Sequence, residues 1–105
     1  MIMIRADFYE TQGLLTGFEI SGHSGYAEAG EDVVCAAVSS AVQLSVNILD
    51  SFDIPVSVKV GDNVIGCKVK DNDKSAGIIL EQLRLHLEAV LEEFPNTINI
   101  TISEV

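Results

Sequence analysis

Two helix-length segments, 33–50 and 75–94, divide this chain of 105 residues into stretches in which apolar side chains recur at every second position. A period of two places alternate side chains on opposite faces of a strand, whereas a period near 3.6 collects them on one face of a helix, so the element order is largely fixed by these switches. Residues 2–10 set Ile2, Ile4, Ala6 and Phe8 against Met3, Arg5, Asp7 and Tyr9. After Thr11-Gln12-Gly13 the stretch LLTGFEIS resumes the alternation with Leu14, Thr16, Phe18 and Ile20 on one side, and so short a link predicts an antiparallel hairpin. Gly17 inside the second strand predicts a bulge or a close approach of another backbone. Residues 56–60 and 64–69 repeat the pattern around Gly61-Asp62-Asn63, and TINITISEV at 97–105 closes the chain as a fifth strand.

The first helical segment, VVCAAVSSAVQLSVNILD, is nearly all small or apolar and predicts a mostly buried helix capped by Asp32 and stopped before Pro55. In the second, Ile79, Leu80, Leu83, Leu87, Val90, Leu91 and Phe94 share one face, and Pro95-Asn96 ends it. Ile78, Leu85 and Ala89 form a second stripe there, which suits either wide burial or a homodimer contact. The resulting order, ββαββαβ, with hairpin links predicts one α+β domain over 1–105, in two layers: an antiparallel sheet with both helices on one side.

Charge narrows the function. Sixteen acidic residues against six Lys and Arg give a net charge of −10, which opposes direct nucleic-acid binding, because that affinity comes from cations neutralising phosphates. A basic partner suits the field better. There is no uninterrupted apolar run of membrane-spanning length, and residues 1–7 lack the pattern of a secretory signal, so no membrane association and a cytoplasmic location are expected. In a reducing compartment Cys35 and Cys67 are expected as thiols rather than as a disulfide.

The chemistry concentrates in Gly22-His23-Ser24-Gly25 and in Gly30-Glu31-Asp32-Val33-Val34-Cys35-Ala36-Ala37, joined by a glycine-rich loop over 22–31. Here a His and a Cys stand at the two ends of one segment. With Asp32 as cap, Cys35 becomes the third helical residue, where unpaired N–H groups and the helix dipole favour a thiolate, and His23 is a candidate base for it. Against this stands simple packing, since a Cys flanked by Val and Ala is commonly a small buried hydrophobe. Cys67, which shares a strand face with Ile65 and Val69, and His86, beside Leu83 and Val90, take structural readings. Asp32 is structural as a cap, or else orients His23. A zinc site on His23, Asp32 and Cys35 lacks a fourth ligand and any paired-cysteine spacing, and the glycines do not form a phosphate loop, so no metal or cofactor is expected.

The ordered pattern Gly22-His23-Ser24-Gly25, Gly30, Asp32-Val33-Val34-Cys35-Ala36-Ala37-Val38-Ser39 resembles the signature of the Prp, or YsxB-like, ribosomal-processing cysteine protease family, along essentially the whole chain. The resemblance implies a bacterial, cytoplasmic, homodimeric endopeptidase that removes an N-terminal extension from the large-subunit ribosomal protein numbered twenty-seven. It implies His23 as base and Cys35 as nucleophile, with Gly22, Asp32 and Ser39 at supporting motif positions and the segment between hinges Gly25 and Gly30 as a mobile cover. Backbone N–H groups at the start of the 33–50 helix are the expected oxyanion donors. Before substrate arrives, His23 and Cys35 are expected to stand too far apart to bond. Two other classes remain open: a non-catalytic peptide-binding module of ribosome assembly, and a thiol redox or acyl-transfer protein, the latter lacking the C-x-x-C motif.

Overall fold

The computed structural model describes residues 3–22 and 29–105, with 29–32 described by their place in a helix alone. The elements are β1 (Ile4–Thr11), β2 (Leu14–Ser21), α1 (Ala29–Ser51), β3 (Val56–Gly61), β4 (Val64–Val69), α2 (Lys74–Glu93) and β5 (Ile98–Glu104). This is the predicted ββαββαβ order of an α+β fold. The sheet order is β3-β4-β2-β1-β5.

One pairing departs from an all-antiparallel sheet. Strand β5 runs parallel to β1, with Ile4 opposite Ile98 and Phe8 opposite Ile102. The helix is the reason. Twenty residues of α2 span about 30 Å, enough to carry the chain back to the end of the sheet where β4 began, so β5 must run as β4 does. Because β1 and β4 are both antiparallel to β2, β1 has that direction too.

The β1–β2 turn uses Gln12 and Gly13, both at positive φ (52° and 81°), as a tight hairpin turn requires. Gly17 fulfils both expectations placed on it. The register slips beside it, so that Tyr9 faces Gly17 but Glu10 faces Leu15. A Cβ at Gly17 would also lie 2.6 Å from the Cys67 carbonyl oxygen of β4. The bulge changes which side chains turn inward: Leu15, rather than Leu14 and Thr16, joins Phe18 and Ile20 in the core.

Ile4, Ala6, Phe8, Phe18, Ile20, Cys67 and Ile98 form the core face of the sheet against Val34, Val38, Val42 and Leu49 of α1 and Leu80, Leu83 and Leu87 of α2. The Phe8 and Phe18 rings, directly opposite in register, stand 6.2 Å apart at a tilt of 50°. Both helices therefore cover one face. The opposite face is polar, with Thr101 donating to Asp7 Oδ1 (2.7 Å) and Arg5 3.7 Å from the same carboxylate.

Helix α1 is not mostly buried as its composition predicts. Over Val33–Ser51 the mean hydropathy is 1.6, apolar and long enough to cross a membrane by those criteria alone, yet only 28% of the stretch is buried. Its buried residues recur every three or four positions, Val34, Val38, Val42, Ser45 and Leu49, while Val33 and Leu44 are exposed. The outer face is uncharged but still outer. Ser45, a buried polar residue, donates back to the Ala41 carbonyl (2.9 Å), one of the serine bonds its sequence invites. On α2 the stripe of Ile78 and Leu85 is likewise exposed, so this chain alone does not bury it.

Candidate active site

The site is built where β2 hands the chain on to α1. Gly22, the last described residue before His23, has φ +85°, and a Cβ there would meet the Met3 carbonyl oxygen at 2.8 Å. Its N–H donates to the Asn63 carbonyl in the β3–β4 turn (3.1 Å). A glycine is thus needed twice, for the left-handed backbone and for the close approach to the start of β1. These contacts fix the direction in which the chain leaves the sheet toward His23. Asn63, itself at φ 57°, is the residue that sequence reasoning left out, because it reads only as part of a turn.

His23, Ser24 and Gly25 lie outside the described residues, and with them the expected His23–Cys35 separation. Helix α1 begins at Ala29, which shortens the predicted 22–31 loop and corrects three expectations. Gly30 stands in the first helical turn, not at a loop hinge. Asp32 is the fourth residue of the helix and so cannot be its N-cap. Cys35, counted from Ala29, is the seventh residue. A helix that starts at Ala29 leaves the N–H groups of its first three residues, 29–31, without helical acceptors, so the amide of Cys35 is spent in the helix ladder and the dipole's effect has largely decayed by this turn. The physical reason is that Ala29-Gly30-Glu31 carries no helix breaker stronger than one glycine, and a helix that propagates cheaply extends toward its N-terminus.

Cys35 itself is half-buried and packs against the core cluster, with Val34 beside it at 1% exposure as an anchor. Ser39 is exposed and lies one turn further on the same face. Cys67 differs in every respect. It is 1% exposed beneath the helices, and burial pushes its thiol pKa up. Both cysteines are thiols. His86 is exposed on α2. Among the described residues no group of three His, Cys, Asp or Glu side chains is placed to hold a metal ion. A shallow hollow of about 290 Å³ lined by Gly13, Leu14, Lys74, Gly77 and Ile78 lies at the opposite end of the β1–β2 hairpin from Gly22.

The family model described as cysteine protease Prp matches residues 3–99. The chain belongs to the Prp family of cysteine proteases. The backbone is similar to that of SMU.848 from Streptococcus mutans, at 28% identity and a TM-score of 0.87, covering 98% of this chain and 99% of that one. It is also similar to the essential ribosomal processing protease Prp from S. aureus. With a covalently linked product peptide that structure matches at 25% identity and a TM-score of 0.85, and with a substrate peptide at 24% and 0.88; each covers 96% of this chain and 100% of the other. No curated protein matches the sequence. A Prp-family protease requires a cysteine that substrate can reach, and of the two here Cys67 is sealed in the core while Cys35 is not.

Proposed function

We propose that this chain is a bacterial cysteine endopeptidase that removes the N-terminal extension of large-subunit ribosomal protein twenty-seven, with Cys35 as nucleophile and His23 as base. The observation that carries the reading is the contrast between the two thiols within a Prp-family fold: Cys35 half-buried on the helix that comes after His23, Cys67 enclosed.

In this mechanism His23 takes the proton from the Cys35 thiol, and the thiolate attacks the scissile carbonyl carbon. Collapse of the tetrahedral intermediate breaks the C–N bond, the imidazolium protonates the departing amine, and a thioester remains on Cys35. Water, deprotonated by His23, then hydrolyses the thioester and restores the thiol. Since the Cys35 amide is committed to the helix, the oxyanion donors come from elsewhere: the N–H groups of 29–31, in the first turn, lack helical acceptors and are the nearest supply in sequence. Gly22 sets the chain direction for His23. Ser39 and Asp32 remain supporting positions, and Gly25 a hinge.

The working enzyme is proposed to act in the cytoplasm, where a nucleophilic thiol stays reduced, as a homodimer and without direct contact to nucleic acid, in keeping with its charge of −10. The test is mass spectrometry of the ribosomal protein precursor after incubation with the wild-type chain and with Cys35→Ala. Loss of one N-terminal peptide with the wild type alone is expected. A precursor left intact by both, yet bound by both, replaces the protease with a peptide-binding assembly module.

A further inference from the structure

Strand β3 forms one edge of the sheet. Lys70 N–H donates to the Pro55 carbonyl (3.0 Å), which makes Pro55 and Lys70 a hydrogen-bonded pair just beyond the β3–β4 ladder. In an antiparallel ladder such pairs alternate, so Ser57, Lys59 and Gly61 turn their backbone groups toward β4, and Val56, Val58 and Val60 turn theirs outward. Among the described residues nothing pairs with that outer edge.

The side chains of the same three valines point to the helix side of the sheet, since Val58 faces Cys67 and Val60 faces Ile65 in register. The helices leave two of them uncovered, Val58 at 43% and Val60 at 74% exposure, while Val56 is half-buried against the core. Helix α1, which packs on the same face of the sheet, has no charged residue from 33 to 49. A bare edge with apolar side chains is ordinarily guarded, because it invites pairing with another extended chain. The single charge on β3, Lys59, points to the opposite face. The edge also ends at the site. The β3–β4 turn holds Gly22 through Asn63, immediately before His23 in the chain. The other edge, β5, lies three strands from β4, whereas β3 is its neighbour.

We propose that the outer edge of β3 receives the peptide substrate as a sixth strand, its backbone bonding to Val56, Val58 and Val60 and its alternate apolar side chains resting on Val58 and Val60. This rests on the protease function proposed above and adds how its substrate is held. Strand addition supplies affinity through main-chain bonds and specificity through every second side chain. It draws an extended substrate along the sheet toward the turn that anchors Gly22.

The experiment uses a fluorescent peptide spanning the cleavage junction of the ribosomal protein precursor, with kcat and KM measured for the wild-type chain and for Val58→Pro. Proline at 58 removes an outward N–H and leaves the β4 ladder intact, so the fold is retained. KM is expected to rise about tenfold, the effect of one or two lost hydrogen bonds, with kcat little changed. Independently of any change to the protein, the wild-type chain is tested on peptides N-methylated at one residue at a time, and KM is expected to rise at every second position. An unchanged KM for Val58→Pro, or N-methyl sensitivity without a period of two, overturns strand addition while leaving the protease standing. Loss of a dimer on gel filtration by Val58→Pro with KM unchanged assigns the edge to a second copy and likewise overturns it. A peptide that the wild type neither binds nor cleaves overturns both.

Discussion

One glycine and one cysteine show how single residues bear on the site and its support. Gly22 combines a positive φ with a Cβ position 2.8 Å from a carbonyl oxygen, and that oxygen belongs to backbone that cannot swing aside. Gly22→Ala is therefore expected to cost about 1–2 kcal/mol from the left-handed conformation alone, with the steric conflict added. Urea denaturation measures that loss, and peptide hydrolysis should fall further than the stability loss explains, because the chain entering His23 is re-aimed. At Cys67 the raised pKa has a clear sign: the folded state holds the proton more tightly than the unfolded chain, so stability is intact below the ordinary thiol pKa and falls as pH rises above about 8.5. Cys67→Val should flatten that alkaline decline in thermal melts recorded from pH 7 to 10. In the native wild type at neutral pH, peptide mapping should find no alkylation at Cys67.

At the scale of elements, helix starts are the feature least legible in the sequence. Asp73 is a cap that works as residue preference predicts, extended at φ −113° with its carboxylate accepting from the Ala76 N–H (3.0 Å). Asp73→Ala should lower stability by about 1 kcal/mol, measurable by urea denaturation. Asp32 carries the same residue type before the same kind of apolar run, yet α1 passes through it to Ala29. Residue identity does not distinguish the two cases. The difference lies upstream, because Asp73 opens the first turn available to α2, whereas Ala29-Gly30-Glu31 before Asp32 can also be helical. Strand and hairpin positions are legible because period-2 alternation and tight-turn residues are local signals. The direction of β5 is not local: it depends on α2 crossing back over the sheet. Of the site, the sequence motif singles out Cys35 and Gly22, and the packing explains why Gly22 must be glycine. The part played by Asn63 arises from a contact between residues 41 positions apart, which no motif encodes.

At the scale of the whole molecule, charge and topology act together. If the substrate is the ribosomal protein proposed above and carries net positive charge, a chain of net charge −10 attracts it over distances comparable to the Debye length, about 8 Å at physiological salt. KM for the full-length precursor should therefore rise as sodium chloride is raised from roughly 50 to 500 mM, by an amount on the order of tenfold, while KM for an uncharged junction peptide stays nearly constant. Steady-state kinetics on the two substrates separates the steering from the local fit. The exposed stripes on α1 and α2 are the surfaces on which the proposed homodimer would close, since neither is covered by this chain.

Because Cys35 is the seventh residue of α1 rather than the third, the helix dipole contributes little to its thiolate, so the proposed mechanism relies on His23 for its reactivity. The most direct test is the pH dependence of Cys35 alkylation by iodoacetamide in the wild type and in His23→Ala. Rapid alkylation near pH 7 in the wild type, slowed in His23→Ala until the pH is raised well above neutral, is the predicted result. Equal profiles in the two proteins would contradict the His23–Cys35 pair.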